Sequence, residues 1–242
     1  MKILVAGKGF IGSKAGERLE KEHEVKYLDR RDADFEVDIT QDFEIDEEFD
    51  VLIHSIGLAP GFHTAKDYFK VHIGGTKRLL ENIESNKVVY LSALGTGKID
   101  HSFFRTKMEA ERIIEKSDMV HTILRPSTVY GEGNKLLEMM KKTAPIRIFP
   151  NIKTKTQPVH REDLAKIVAE VVEGRDNQVL DITGKQEISL GELGKHLYSE
   201  EGYRCLLAPL PTFLLTWSLI AFSFLPPPFQ KENVEILEND NI

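Results

Sequence analysis

The sequence predicts an α/β fold, a doubly wound parallel sheet with a small C-terminal α/β lobe. Short apolar runs alternate with longer segments of helical period, the order expected of repeated βα units. The runs at 3–6 (ILVA) and 88–91 (VVYL) are apolar on both faces, as strands covered by helices on either side require. A glycine-rich turn follows the first run directly.

The alternation places strands at 3–6, 25–28, 51–53, 88–91 and 122–124, with helices over 11–21, 67–84 and 105–115. After Pro126 the pattern loosens through Gly131, Gly133, a helical stretch at 135–142, Pro145 and Pro150. Residues 1–130 therefore read as the main domain and 131–242 as the small lobe, interleaved with the last strands of the main sheet. Two further helices are expected at 164–173 and 190–200. The acidic run from Asp42 to Asp50 reads as a solvated loop and helix face.

A chain of 242 residues buries about 70% or more of the surface its unfolded form exposes, enough for a substantial core. Its 32 basic and 39 acidic residues leave a net charge of −7, which offers no electrostatic footprint to a phosphate backbone. No nucleic-acid partner is expected. Cys205 is the only cysteine, which excludes an intramolecular disulfide and any Cys-rich metal site. The histidines form no HxxxH or HExxH pair, so no metal site is expected. The amino terminus runs from one Lys straight into a strand-like stretch without the features of a secretory signal, and a cytoplasmic location, at most peripheral to a membrane, is expected.

The turn Gly7-Lys8-Gly9-Phe10-Ile11-Gly12 lies between a predicted strand and a predicted helix. Gly7 allows the tight turn, Gly9 admits a pyrophosphate close to the backbone, and Gly12 lets the helix pack on the strand. The amides of Phe10 and Ile11 then face the anion at a helix start. Asp29, after the second strand, can accept hydrogen bonds from an adenosine ribose and repel a 2′-phosphate, which favours NAD over NADP. Arg30 and Arg31 pull the other way, since a guanidinium there can pair with that phosphate.

Read together, VAGKGFIGS, Asp38-Ile39, VVYLSALG, FFRTKMEAERII, ILRPSTVYG and QPVHREDLAKIV resemble the extended and atypical short-chain dehydrogenase/reductase superfamily over most of the chain. The nearest branch holds the NAD-dependent nucleotide-sugar epimerases and dehydratases, together with the nucleotide-binding accessory subunit of respiratory complex I. The resemblance implies an NAD(P)-binding Rossmann domain whose small lobe covers a substrate cleft. It further implies that Asp38 and Ile39 border the adenine, that Ser55 and Ile56 lie along the cofactor, and that Lys107 binds the nicotinamide ribose.

One departure matters more than these matches. Active members carry a Tyr four residues before the helix Lys as their acid-base group; here that position is Phe103, which has no proton to move. The hydroxyl that supports the Tyr falls at Ala93, or at Ser92 if the alignment slips by one residue. His101 is a candidate replacement acid, so Lys107, Ser92 and His101 form the candidate catalytic set.

Between Asn134 and Arg161 seven basic side chains face one acid, Glu138, which suggests an anionic ligand; Arg147 and Arg161 could hold a substrate diphosphate by bidentate pairing. Residues 205–230 carry no charged side chain. Their proline-free core, Thr212 to Leu225, makes about 21 Å of helix against a hydrocarbon layer of about 30 Å, too short to span. It can be buried in the lobe or can meet a protein partner or a membrane surface.

Two functional expectations follow. The first is an NAD(H)-binding structural or regulatory protein without Tyr-type chemistry, related to accessory subunits of NADH-quinone oxidoreductase. The alternative is an epimerase, dehydratase or reductase acting on a nucleotide-sugar or other anionic substrate.

Overall fold

The computed structural model describes residues 1–60, 63–134, 142, 144–200, 202–209 and 239–242. Its centre is a seven-stranded sheet built from β1 (Lys2–Ala6), β2 (Glu24–Asp29), β3 (Phe35–Glu36), β4 (Glu48–His54), β5 (Glu84–Leu91), β6 (Val120–Pro126) and β11 (Gln178–Ile182). The spatial order is β11-β6-β5-β4-β1-β2-β3, and all of its pairings are parallel. Chain order reverses between β1 and β4, where Ala6 lies opposite His54. In a doubly wound sheet the carboxyl ends of the two strands at such a switch point open a ligand crevice.

Alternate side chains on the strands enter two different cores. Ile3, Val5, Val51, Ile53, Val89 and Leu91 pack on one face with Ala15 and Leu19 of α1 (Gly12–Leu19) and with Ala165, Val168 and Val171 of α5 (Arg161–Val171). Leu4, Leu28, Leu52, Val88, Tyr90 and Ile123 pack on the other with Leu79 of α3 (Thr76–Asn82) and with Ala110 and Ile114 of α4 (Ser102–Glu115). Each fully buried Leu or Ile contributes about 1.5–3 kcal/mol, which explains why both faces of the central strands are apolar.

The expected helix over 67–84 is interrupted. A capping box between Thr64 and Asp67 starts α2 (Ala65–Tyr68), a π-helical turn follows at Phe69–Gly75, and α3 completes the element. The acidic run holds no helix: its last residues enter β4, where Phe49 is buried between exposed Glu48 and Asp50. Glu47 pairs instead with Lys2 and Lys26.

Beyond Pro126 the chain builds short pairs: β7 (Val129–Tyr130) with β10 (Val159–His160), β8 (Ile148–Pro150) with β13 (Leu206–Ala208), and β9 (Lys155–Thr156) with β12 (Ile188–Ser189). Helix α6 (Leu190–Glu200) packs Tyr198 against Phe149, ring centroids 5.7 Å apart. Asn241 bridges to Thr156 beside this lobe. Helix α5 and strand β11 return to the main sheet, because their apolar faces complete its core. No described helix is long and apolar enough to cross a membrane, and Thr212 to Leu225 and the stretch 135–141 lie outside the described residues.

Candidate functional site

The glycine-rich turn occupies the switch point. Gly7 has φ +107°, and a Cβ there would lie 2.7 Å from Ser55 Oγ, so only glycine fits. Ser55 donates from Oγ to the Gly7 carbonyl at 2.8 Å and so ties the end of β4 to the turn, with Ile56 alongside. A Cβ on Gly12 would stand 1.9 Å from the Gly7 carbonyl oxygen. Gly9 differs from both: nothing lies within 4 Å of where its Cβ would be. Ile11, at the N-cap of α1, supplies no side-chain cap. The first amides of α1 and the open space above Gly9 therefore make a cradle that fits a pyrophosphate.

Asp29 sits at the end of β2, where its two oxygens accept from the Lys8 and Arg30 amides, each at 2.7 Å. Each oxygen keeps a second lone pair for a ribose hydroxyl. Arg30 and Arg31 are exposed and pair with no described carboxylate. The Thr40 hydroxyl and amide hold the Asp38 carboxyl below its ordinary range. Ile39 is buried in the core, with its Cδ1 against Gly75, so only its backbone can border an adenine.

At the far end of the cleft the chemistry changes. Lys107 is buried and donates to the Leu91 carbonyl at 2.7 Å, with its ammonium 4.7 Å from the Tyr90 ring centroid. Burial pushes its pKa down to about 7, against an opposing pull from Glu111. A Cβ on Gly57 would lie 3.1 Å from Lys107 Nζ and 3.6 Å from His72 Nε2, so both nitrogens border the strip after β4. Leu58 donates its amide to His72 Nε2 at 3.1 Å, which leaves the imidazole proton on Nδ1, 2.9 Å from Thr106 Oγ1. Burial and the neighbouring Lys107 hold His72 far below the ordinary imidazole range.

Phe103 lies one helical turn before Lys107 and is closed into an aromatic cluster. Its ring meets His72 at 5.4 Å, Tyr68 at 5.7 Å and Phe104 at 4.9 Å between centroids, all edge to face. Ala93 packs against this cluster. Ser92 points the other way and donates to Glu111, which Arg125 grips at 3.0 and 2.6 Å. His101 is the N-cap of α4, where its Nδ1 accepts the Phe103 amide at 3.0 Å. The imidazole thus holds the helix start in the form that has Nδ1 unprotonated.

The two basic candidates separate. Arg147, exposed and with φ +59°, stacks its guanidinium 5.9 Å from the Tyr203 ring in the small lobe. Arg161, the first residue of α5, stands 4.9 Å from the ring centroid of Phe10 in the glycine-rich turn. Sequence reasoning missed the partners of the far site, Tyr68, Tyr90, Thr106, Glu111 and Arg125, because each looks like an ordinary core or surface residue until the sheet stacks them. Among the described residues no group of three potential metal ligands occurs.

The sequence model of the family described as "NAD dependent epimerase/dehydratase family" matches residues 3–182. No curated protein sequence matches the chain. Among solved structures it is similar to UDP-glucose 4-epimerase from Thermotoga maritima, with TM-score 0.70 and 20% identity over 87% of this chain and 86% of that one. A Tyr-to-Phe variant of UDP-glucuronic acid 4-epimerase from Bacillus cereus gives TM-score 0.73 at 20% identity, with the same coverage. A dTDP-4-dehydrorhamnose reductase from Clostridium acetobutylicum gives 0.75 at 19% identity, over 96% and 88% of the two chains.

Proposed function

We propose that this chain, which belongs to the NAD-dependent epimerase/dehydratase family, binds NAD(H) and carries out little or no Tyr-type acid-base chemistry, acting as a structural or regulatory dinucleotide-binding protein. The observation that carries this reading is the closure of Phe103 into an apolar aromatic cluster one turn before Lys107, with Ala93 where a supporting hydroxyl would stand. The cradle at Gly7–Gly12 and Asp29 bind and orient the dinucleotide. Lys107 holds its ribose, and Ser55 fixes the turn. Bound NAD would supply a hydride acceptor, but position 103 offers no phenolate to take the accompanying proton, and the nearby phenols are buried, with that of Tyr68 bonded to the Ala59 carbonyl. The Bacillus cereus neighbour supports the binding half of this reading: its Tyr-to-Phe variant was crystallised with both a fluorinated nucleotide sugar and NAD. Kinship with the accessory subunit of complex I is part of the same proposal.

The second reading, an epimerase or reductase acting on a nucleotide sugar, is supported by the UDP-glucose bound to the Thermotoga maritima neighbour and by the activity named for the Clostridium acetobutylicum one. The test is mass spectrometry of the nucleotide that co-purifies, followed by assays with UDP-glucose and UDP-glucuronic acid. Retained NAD without turnover is expected. Turnover at ordinary enzymatic rates by the unmodified protein overturns the proposal.

A further inference from the structure

Three features meet at the rim beside Phe10. Helices α1 and α5 start side by side there, joined by the Lys14–Glu162 pair at 3.1 Å. Nothing fills the space above Gly9. Arg161 reaches across from the first turn of α5 to stack on Phe10, and among the described residues its guanidinium pairs with no carboxylate.

The arginine is built in rather than draped over the surface. Its N–H donates to the Glu132 carbonyl, and its buried Nε has no partner. The loop at Gly131 wraps its stem so closely that a Cβ there would lie 2.8 Å from Arg161 Cγ, at a φ of +135° that glycine alone tolerates freely. A fixed guanidinium with no counter-ion among the described residues, stacked on a ring of the glycine-rich turn, has the chemistry of a phosphate site.

We propose that Arg161 is a ligand of the diphosphate group laid across the Gly9–Gly12 turn. This rests on the NAD-binding reading and deepens it: the anion is held both by the amides of α1 and, from the side of α5, by a guanidinium fork suited to phosphate oxygens. A diphosphate can come from the dinucleotide or from a nucleotide sugar. Contact with Phe10, inside the turn, assigns Arg161 to the dinucleotide, whereas the sequence alone suggested a substrate.

The test is calorimetry of ADP-ribose, adenosine and UDP on the full chain and on Arg161→Leu and Arg161→Lys. Arg161→Leu is expected to weaken ADP-ribose by roughly ten- to a hundredfold, the range for a lost charge-assisted contact, with adenosine unchanged. It should also flatten the dependence of ADP-ribose affinity on salt. Arg161→Lys keeps the charge and stem but loses the fork, and is expected to recover part of the affinity. Unchanged ADP-ribose affinity in either variant overturns the proposal, as does a loss confined to UDP, or an equal loss for adenosine, which would mark a packing role. Should Arg161→Leu fail to fold, Arg161→Lys decides alone. If the parent binds neither ADP-ribose nor adenosine, the NAD-binding reading falls and this inference with it.

Discussion

The two ends of the candidate cleft have been treated differently by the same fold. At the switch point each backbone requirement for a pyrophosphate is met: Gly7 and Gly12 admit no Cβ, Gly9 leaves space, and Asp29 is fixed by two amides. At the other end the lysine remains, but the helix position one turn before it is Phe103, packed with Tyr68, His72 and Phe104, and Tyr90 presents its ring face to the ammonium. Binding depends on backbone shape, which the glycines preserve. In the proposed reading proton transfer depends on one side-chain oxygen at one place, and Phe103 offers none there.

The sharpest way to break this contrast is to restore the missing oxygens. The double variant Phe103→Tyr with Ala93→Ser should gain about 10²- to 10⁴-fold in turnover of a nucleotide-sugar substrate over the parent, the usual worth of general acid-base catalysis. Stopped-flow or steady-state NADH absorbance would measure it. A parent that turns over as fast as the double variant would erase the difference between the two ends.

At the binding end, Gly9→Val should fold normally, because its Cβ meets no atom within 4 Å. It should nevertheless lose at least about 100-fold in NAD affinity, as the valine fills the space a pyrophosphate needs. Gly12→Val should instead lose the fold. Thermal melting paired with calorimetry separates the two outcomes.

Lys107 makes the far end sensitive to pH. Its pKa falls from about 10.5 in the unfolded chain to about 7 in the folded protein, so between these values the unfolded chain binds more protons and stability rises with pH. Below about pH 7 both states are protonated and the penalty for burying the ammonium is constant. Relative to Lys107→Met, the parent should gain on the order of 2 kcal/mol between pH 7 and pH 9. Urea titrations at the two pH values measure this; parallel curves would show that the amine is not desolvated.

The smallest effect concerns cofactor choice. Asp29 should favour NAD over NADP by at least about tenfold, or 1.4 kcal/mol, and Asp29→Asn should narrow that ratio. Equal affinities in the parent at one ionic strength would show that Arg30 and Arg31 outweigh the carboxylate.

The glycine-rich turn at the switch point was legible because its demands fall on consecutive residues: a strand, three glycines at fixed spacing and a helix start need no long-range partner to be recognised. The interval from Phe103 to Lys107 was legible for a similar reason, since both lie on one helix four residues apart. The acidic run was misread over its last residues because burial of Phe49 in the sheet core prevails over the helical appearance of its acidic neighbours.

Choosing between Ser92 and Ala93 required the tertiary structure. Adjacent residues at the end of a strand point to opposite faces, and only the packing of α4 shows that Ala93 meets Phe103 while Ser92 meets Glu111. The same holds for the two arginines. In sequence Arg147 and Arg161 belong to one basic stretch, but the return of α5 to the main sheet carries Arg161 to Phe10 and leaves Arg147 beside Tyr203. Local spacing carried the fold class, the glycine-rich turn between strand and helix and the interval from Phe103 to Lys107, because those depend on neighbours along the chain; which side chains share a site depends on the stacking of distant elements, which spacing does not encode.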